Sequence, residues 1–330
     1  MRKLAIGFVV GVAGAFAVWG AAFALALGVP TESSRWCHEM TQKKTAFALA
    51  QTRPKLILVG GSASLFGLQA QRLESELGMP VVNFGTHAAL TPAYIFKTVR
   101  PVARPGDTIL LLLEYELYVK GRLEKDTVDL FYLDYILARD PAYLRERSLA
   151  EQITFAMYVP ERRLKRGISN RIRPERKRDK VIYNIANLNA NGDQLNHRAQ
   201  DRIPGTLQFE KLSLVLMNGF SGEPSAWPDI ADFCRWAQTN NIRVLAAFPP
   251  VLERPEYVAV ESIGRELQRL YASANVPIIG KTNLTERLLP QECFYDTIYH
   301  LTEEQAEIET MSLVRDLKQH IQEKGVTSSR

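Results

Sequence analysis

Cysteine is scarce and scattered: three residues in a chain of 330, with no pair at zinc-ribbon spacing, which rules out a disulfide-built miniprotein. No repeat recurs at a fixed period, and collagen, coiled-coil and solenoid compositions are missing. Charge is too modest for global disorder, since 23% charged against 46% hydrophobic residues are ordinary globular values. Lys and Arg exceed Asp and Glu by only 41 to 36, a net charge of +5. The length allows one large domain or two ordinary ones.

What the chain has instead begins at its N-terminus. Arg2 and Lys3 precede an uncharged run of 26 residues, Leu4–Val29, with no polar face. As a helix this run reaches roughly 39 Å, enough to cross a hydrocarbon core of about 30 Å with tilt. A signal-peptide apolar core is shorter, about 7–15 residues. The run therefore reads as an uncleaved single-pass inner-membrane anchor (residues 1–30), although Ala24-Leu25-Ala26 offers a small-x-small cleavage site as the competing reading. Arg2 and Lys3 favour a cytoplasmic N-terminus and a periplasmic main domain, residues 31–330. Arg35, Lys43 and Lys44 on the far side run against that orientation. Export permits disulfides, so a Cys37–Cys293 bridge stays open; Cys234, in the helical pattern of Ile230, Phe233 and Ala237, reads as a core residue.

The remainder alternates strands and helices. Apolar runs at Lys55–Gly60, Met79–Phe84, Thr108–Leu113, Ile242–Phe248 and Val276–Ile279 read as buried strands. Helices are expected before Gly78 and over Thr91–Val102, Ala226–Thr239, Tyr257–Ala274 and Glu303–Ile321. Fully apolar strands alternating with helices imply an α/β three-layer sandwich, with a mostly parallel, five-stranded, doubly wound sheet. The alternation lapses over residues 114–240, where no convincing strand occurs. Helices near Asp126–Arg139 and Pro141–Arg166 are expected in this insertion.

Within the insertion, Arg162–Lys180 carries ten cations against Glu175 and Asp179, a local balance of +8 that leaves −3 of the total +5 for the rest of the chain. Two readings compete: a solvated helix face, or a surface for anionic headgroups or acidic glycan. Nucleic acid is not expected as a partner of an exported domain. The Asn-rich stretch Asn184–Asn196 reads as a polar loop, with sugar contact as the sharper alternative.

Chemistry in open parallel sheets lies at the carboxyl ends of strands. The first strand ends in Gly60-Gly61-Ser62, a turn that sets a serine at the strand exit beside backbone N–H groups, as a nucleophile requires. A plain helix cap is the alternative. The second ends in Asn83-Phe84-Gly85-Thr86-His87-Ala88. Near the chain's end Asp296 and His300 can share one loop, the carboxylate orienting the imidazole that takes the serine proton; alternatively Asp296 caps the final helix.

Together these pieces resemble the SGNH (GDSL-like) hydrolase superfamily, and in particular its membrane-anchored branch associated with acylation of bacterial cell-surface polysaccharides. The resemblance covers residues 55–115 and 241–321. Gly60-Gly61-Ser62 is similar to the family's G-D-S block, Val81–Gly85 to its second block, and Asp296 with His300 to its closing D-x-x-H block. The chain departs from the pattern at Gly61, which stands for Asp, and in spacing Asp296 and His300 by four residues. It also has Leu113-Glu114-Tyr115-Glu116 where the family has an oxyanion-donating Asn. The resemblance implies a serine esterase or O-acyltransferase with Ser62, Asp296 and His300 catalytic. The N–H of Ala88 joins that of Ser62 at the oxyanion; Gly85, Asn83 and His87 complete the binding loop. No cofactor or metal is implied. The implied partners are a polysaccharide or acylated glycan, the inner membrane and a membrane-bound acyltransferase. The alternative is a non-catalytic accessory protein on the same fold.

Overall fold

The computed structural model describes residues 1–121, 123, 128–178 and 180–327. Asp126, the first residue of one expected helix, and Asp179, inside the basic stretch, lie outside the described residues. The chain divides into two compact units, one of Met1–His38 and Leu123–Asp179, the other of Glu39–Arg122 and Lys180–Arg330.

The first unit is helical. Its apolar run forms a single helix, Arg2–Ala26, long and apolar enough to cross a membrane. The helix stops before Gly28, whose φ of 72° is left-handed. Leu130–Arg139 is one of the expected helices. The other, Pro141–Arg166, is three pieces: Pro141–Arg145, Leu149–Tyr158 and Glu161–Ile172. The first break is a capping box, in which Ser148 and Glu151 satisfy each other's backbone N–H groups and start a new helix. The second is Pro160, which cannot donate into a continuing helix. The basic stretch is partly structural, because Arg163 is buried against Asp134 and Arg166 is paired with Glu175.

The second unit is α/β. β1 (Leu56–Gly60), β2 (Val81–Asn83), β3 (Thr108–Leu112) and β4 (Arg243–Ala246) form a parallel sheet in the order β2-β1-β3-β4. The expected fifth strand at Val276–Ile279 makes only one parallel bridge, Ile278 to Ala246. Two hydrogen bonds, Ala246 N–H to Pro277 and Ile279 N–H to Ala246, exhaust it. Pro277 has no N–H to extend the ladder, and Gly280 at φ 78° turns the chain away. A separate two-residue parallel pair joins β5 (Val251–Leu252) and β6 (Leu288–Leu289).

Period-2 alternation divides the buried strands between two cores. Leu56, Leu58, Leu110 and Leu112 pack with Leu73, Leu313, Val314 and Leu317 of the helices Ala70–Leu77 and Glu303–Thr327. Ile57, Val59, Ile109 and Leu111 face the other way and are fully buried. On that side lie Pro92–Val99 and Trp227–Thr239, joined by Phe96 stacked on Phe233 at 4.1 Å. At the sheet's amino edge Lys55 and Asp107, both buried, pair at 2.6 Å and tie the start of β1 to β3.

The Asn-rich stretch is ordered by its own side chains. Asn191 accepts from Asn83 N–H at 2.8 Å and donates to Val81 at 2.9 Å, which closes the outer edge of β2. None of the described cysteines is in a disulfide.

Candidate active site

Register places the site. Gly60 pairs with Leu112, so the residues that leave β1 and β3 emerge side by side. Sheet order reverses between these strands, and ligand crevices form at such a switch point. Ser62 opens the helix Ser62–Gly67 directly after β1. Glu114, two residues beyond β3, reaches across to it and is buried. Its carboxylate accepts from Ala63 N–H at 2.7 Å, from Gly61 N–H at 3.0 Å and from the Ser62 hydroxyl at 3.3 Å. Burial raises the Glu114 carboxyl pKa, and the N–H groups of Ala63 and Gly61 only partly offset that.

Gly61 is explained by the same contact. A Cβ there would lie 2.5 and 2.6 Å from the Glu114 carboxylate oxygens and 2.8 Å from Ala88 Cα. Glu114 and the Ala88 backbone together fill the space a side chain at 61 would take. The contact also brings Ala88 against the serine turn. Among the described residues, neither Ser62 N–H nor Ala88 N–H makes a hydrogen bond. Lys120 Nζ donates to the Ala88 carbonyl at 2.8 Å.

Asp296 and His300 do meet. An antiparallel bridge between Phe294 and Leu301 closes the loop that carries them, and the final helix starts only at Glu303. Thr297 accepts from His300 N–H at 3.2 Å and folds the four-residue spacing back on itself. His300 Nδ1 then lies 2.7 Å from Asp296 Oδ1. The Tyr183 hydroxyl donates to Asp296 Oδ2 at 2.6 Å. Burial works to raise the Asp296 carboxyl pKa, but the His300 and Tyr183 hydrogen bonds outweigh it and hold the group below its ordinary value. The Tyr183 hydroxyl is pushed up by burial and by Asp296.

The imidazole lies flat on Phe66, with centroids 4.0 Å apart and planes 6° from parallel. Phe66 is one turn after Ser62 and on the same face of the same short helix. Phe66 thus ties the acid–base pair to the helix that Ser62 opens. His300 Nε2 makes no hydrogen bond among the described residues, and the Ser62 hydroxyl is bonded to Glu114 in this state.

The second-block residues divide. Asn83 is fully buried, and its amide donates to Ser64 at 3.2 Å, Leu68 at 3.1 Å and Asp193 at 3.2 Å; it positions the serine helix from below. Gly85 lets the chain pass close beneath that helix, since a Cβ would fall 2.5 Å from Leu65 N. Its N–H donates to Asn83 Oδ1 at 3.1 Å. His87 Nδ1 accepts from Ala89 N–H at 3.0 Å, which orders the turn holding Ala88.

Tyr183, Glu114 and Lys120 were missed or misassigned from sequence. Tyr183 carried no signal, as a lone aromatic in a polar stretch. Glu114 was visible only as one of the four residues, Leu113-Glu114-Tyr115-Glu116, that stand where an Asn was expected. A polar cleft of about 410 Å³ is lined by Gln69, Gln71, Arg72, Asn189, Asp193 and Glu303, among others, and by none of Ser62, Asp296 and His300. No protein-family model matches the chain, and no curated protein sequence matches it.

Proposed function

We propose that this chain is a membrane-anchored, extracytoplasmic serine esterase or O-acyltransferase of the SGNH type, acting on an exported or cell-surface polysaccharide. The observation that carries the proposal is the Asp296–His300 pair held over Phe66, one helical turn from Ser62, with Nε2 left open. In the proposed reaction the Ser62 hydroxyl leaves Glu114 for His300. Ser62 Oγ attacks the acyl carbonyl, and its proton passes to His300 Nε2. Asp296 holds the imidazolium that forms. The N–H groups of Ser62 and Ala88 receive the oxyanion. Collapse expels the alcohol, which takes the proton from His300 and leaves the acyl group on Ser62. Water or a sugar hydroxyl then attacks the ester, so hydrolysis and transfer differ only in the acceptor. The amide- and carboxylate-lined cleft suits a polyhydroxylated ligand. Arg2 and Lys3 before the apolar helix support an outward-facing domain, which would work beside a membrane-bound acyltransferase.

One observation favours the accessory reading. Glu114 sets a buried acid against Ser62 where an oxyanion donor is expected, and loss of one such donor costs about 100- to 1000-fold in rate. A fluorophosphonate probe separates the two. The parent should be labelled and Ser62→Ala should not. A folded parent that takes no label would reject the enzyme and leave the accessory protein.

A further inference from the structure

The helix Leu149–Tyr158 turns an apolar stripe outward. Leu149, Ile153 and Met157 stand one turn apart and are 72%, 53% and 69% exposed, while Phe155 on another side is fully buried. Aligned exposed apolar side chains mark a contact surface. What covers them follows from where the helix is held. Pro160 has no N–H for the Ala156 carbonyl four residues earlier, and Trp19 Nε1 of the Arg2–Ala26 helix donates to that carbonyl at 3.1 Å. Phe23 meets Phe155 edge to face at 6.4 Å. Trp19 and Phe23 lie seven and three residues before the helix end at Ala26. At 1.5 Å per residue these contacts are about 4–11 Å below the exit of the helix. Helices lying in a membrane interface bury their apolar face about 5–10 Å deep.

The following helix marks the headgroup level. Gly167 packs against Ala26, where a Cβ would fall 2.7 Å from the Ala26 Cβ. Arg171 donates to the Leu25 carbonyl at 2.9 Å. Arg162, Lys165 and Arg173 are exposed on the same stretch, together with Ile172 at 83%. Apolar residues one layer in and cations at the exit are the order an anionic leaflet selects.

We infer that Leu149–Tyr158 is an interfacial helix, a second membrane contact in which Leu149, Ile153 and Met157 enter the acyl region of the leaflet the anchor leaves through. The inference rests on the reading of Arg2–Ala26 as a bilayer span. The test uses the full chain in vesicles of phosphatidylcholine and phosphatidylglycerol. Single NBD labels are placed by Ile153→Cys, Met157→Cys or Ala13→Cys in a Cys293→Ser background. Doxyl lipids with the quencher near the headgroup or near the chain end report depth. The labels at 153 and 157 should be blue-shifted and lose fluorescence most to the shallow quencher, and the label at 13 most to the deep one. Quenching at 13 with an aqueous, unquenched signal at 153 and 157 would overturn the interfacial helix and leave the anchor standing. No quenching at 13 would overturn the anchor itself. A blue shift at 153 and 157 that neither doxyl lipid quenches would mean that protein, such as a second copy, covers the stripe, and would also overturn it.

Discussion

Two carboxyl groups at the site have native pKa values displaced in opposite directions, so each predicts its own pH dependence. Glu114 is raised from an ordinary value of 4.5. The native state therefore holds this proton longer than the unfolded chain. Its contribution is fully present below about pH 4.5 and is lost as pH rises through the native value. Glu114→Gln should abolish that decline in urea-unfolding stability above pH 4.5. Asp296 is lowered from 3.8, so its contribution is present above that value and is lost as pH falls through the native one. Tyr183→Phe takes away a donor from a buried carboxylate, a loss of about 1–3 kcal/mol. It should also move the acid limb of the stability curve to higher pH. An unchanged acid limb in Tyr183→Phe would show that the tyrosine does not support the acid–base pair.

At the scale of elements, the serine turn and the end of β3 form one packed unit. Gly61→Asp alone places a second carboxylate into the space Glu114 fills, and should destabilise the protein by at least the 1–3 kcal/mol typical of overpacking. Combining it with Glu114→Asn removes the clash with the carboxylate but not the one with Ala88 Cα, and should recover part of that loss. A double-mutant cycle with no coupling would separate the two positions. Strands β1 and β3 were legible because branched apolar runs bounded by Pro and Gly have few other readings. Val276–Ile279 was over-read, since hydropathy does not register the N–H that Pro277 lacks. The helix Glu32–Ala50 was not seen at all. Its buried positions include Cys37, Met40, Lys44 and Ala48, and a buried lysine breaks the apolar periodicity that would have announced it. At the site, Ser62, Asp296 and His300 were legible as residue types at strand and chain ends. Tyr183 and Glu114 depend on contacts made across more than 50 residues of sequence, which no local pattern encodes.

At the scale of the whole chain, the first 26 residues bear on where any chemistry takes place. The apolar helix behind Arg2 and Lys3 predicts an outward-facing main domain. Alkaline phosphatase fused after residue 330 should be active, and a cytoplasmic reporter at the same point silent. The reverse result would place the serine turn on the cytoplasmic side and exclude exported glycan as substrate.

The segment that closes β2 also supplies Tyr183, and the two duties are joined by geometry. Asn191 occupies the edge at which a foreign strand would add to the sheet, and Tyr183, eight residues earlier, occupies the second oxygen of Asp296. Peeling this segment away would uncap the sheet and leave the acid–base pair half-supported in one event. Strand-addition aggregation and loss of the Tyr183–Asp296 hydrogen bond should then share a single threshold in temperature or denaturant, reached before the central strands unfold.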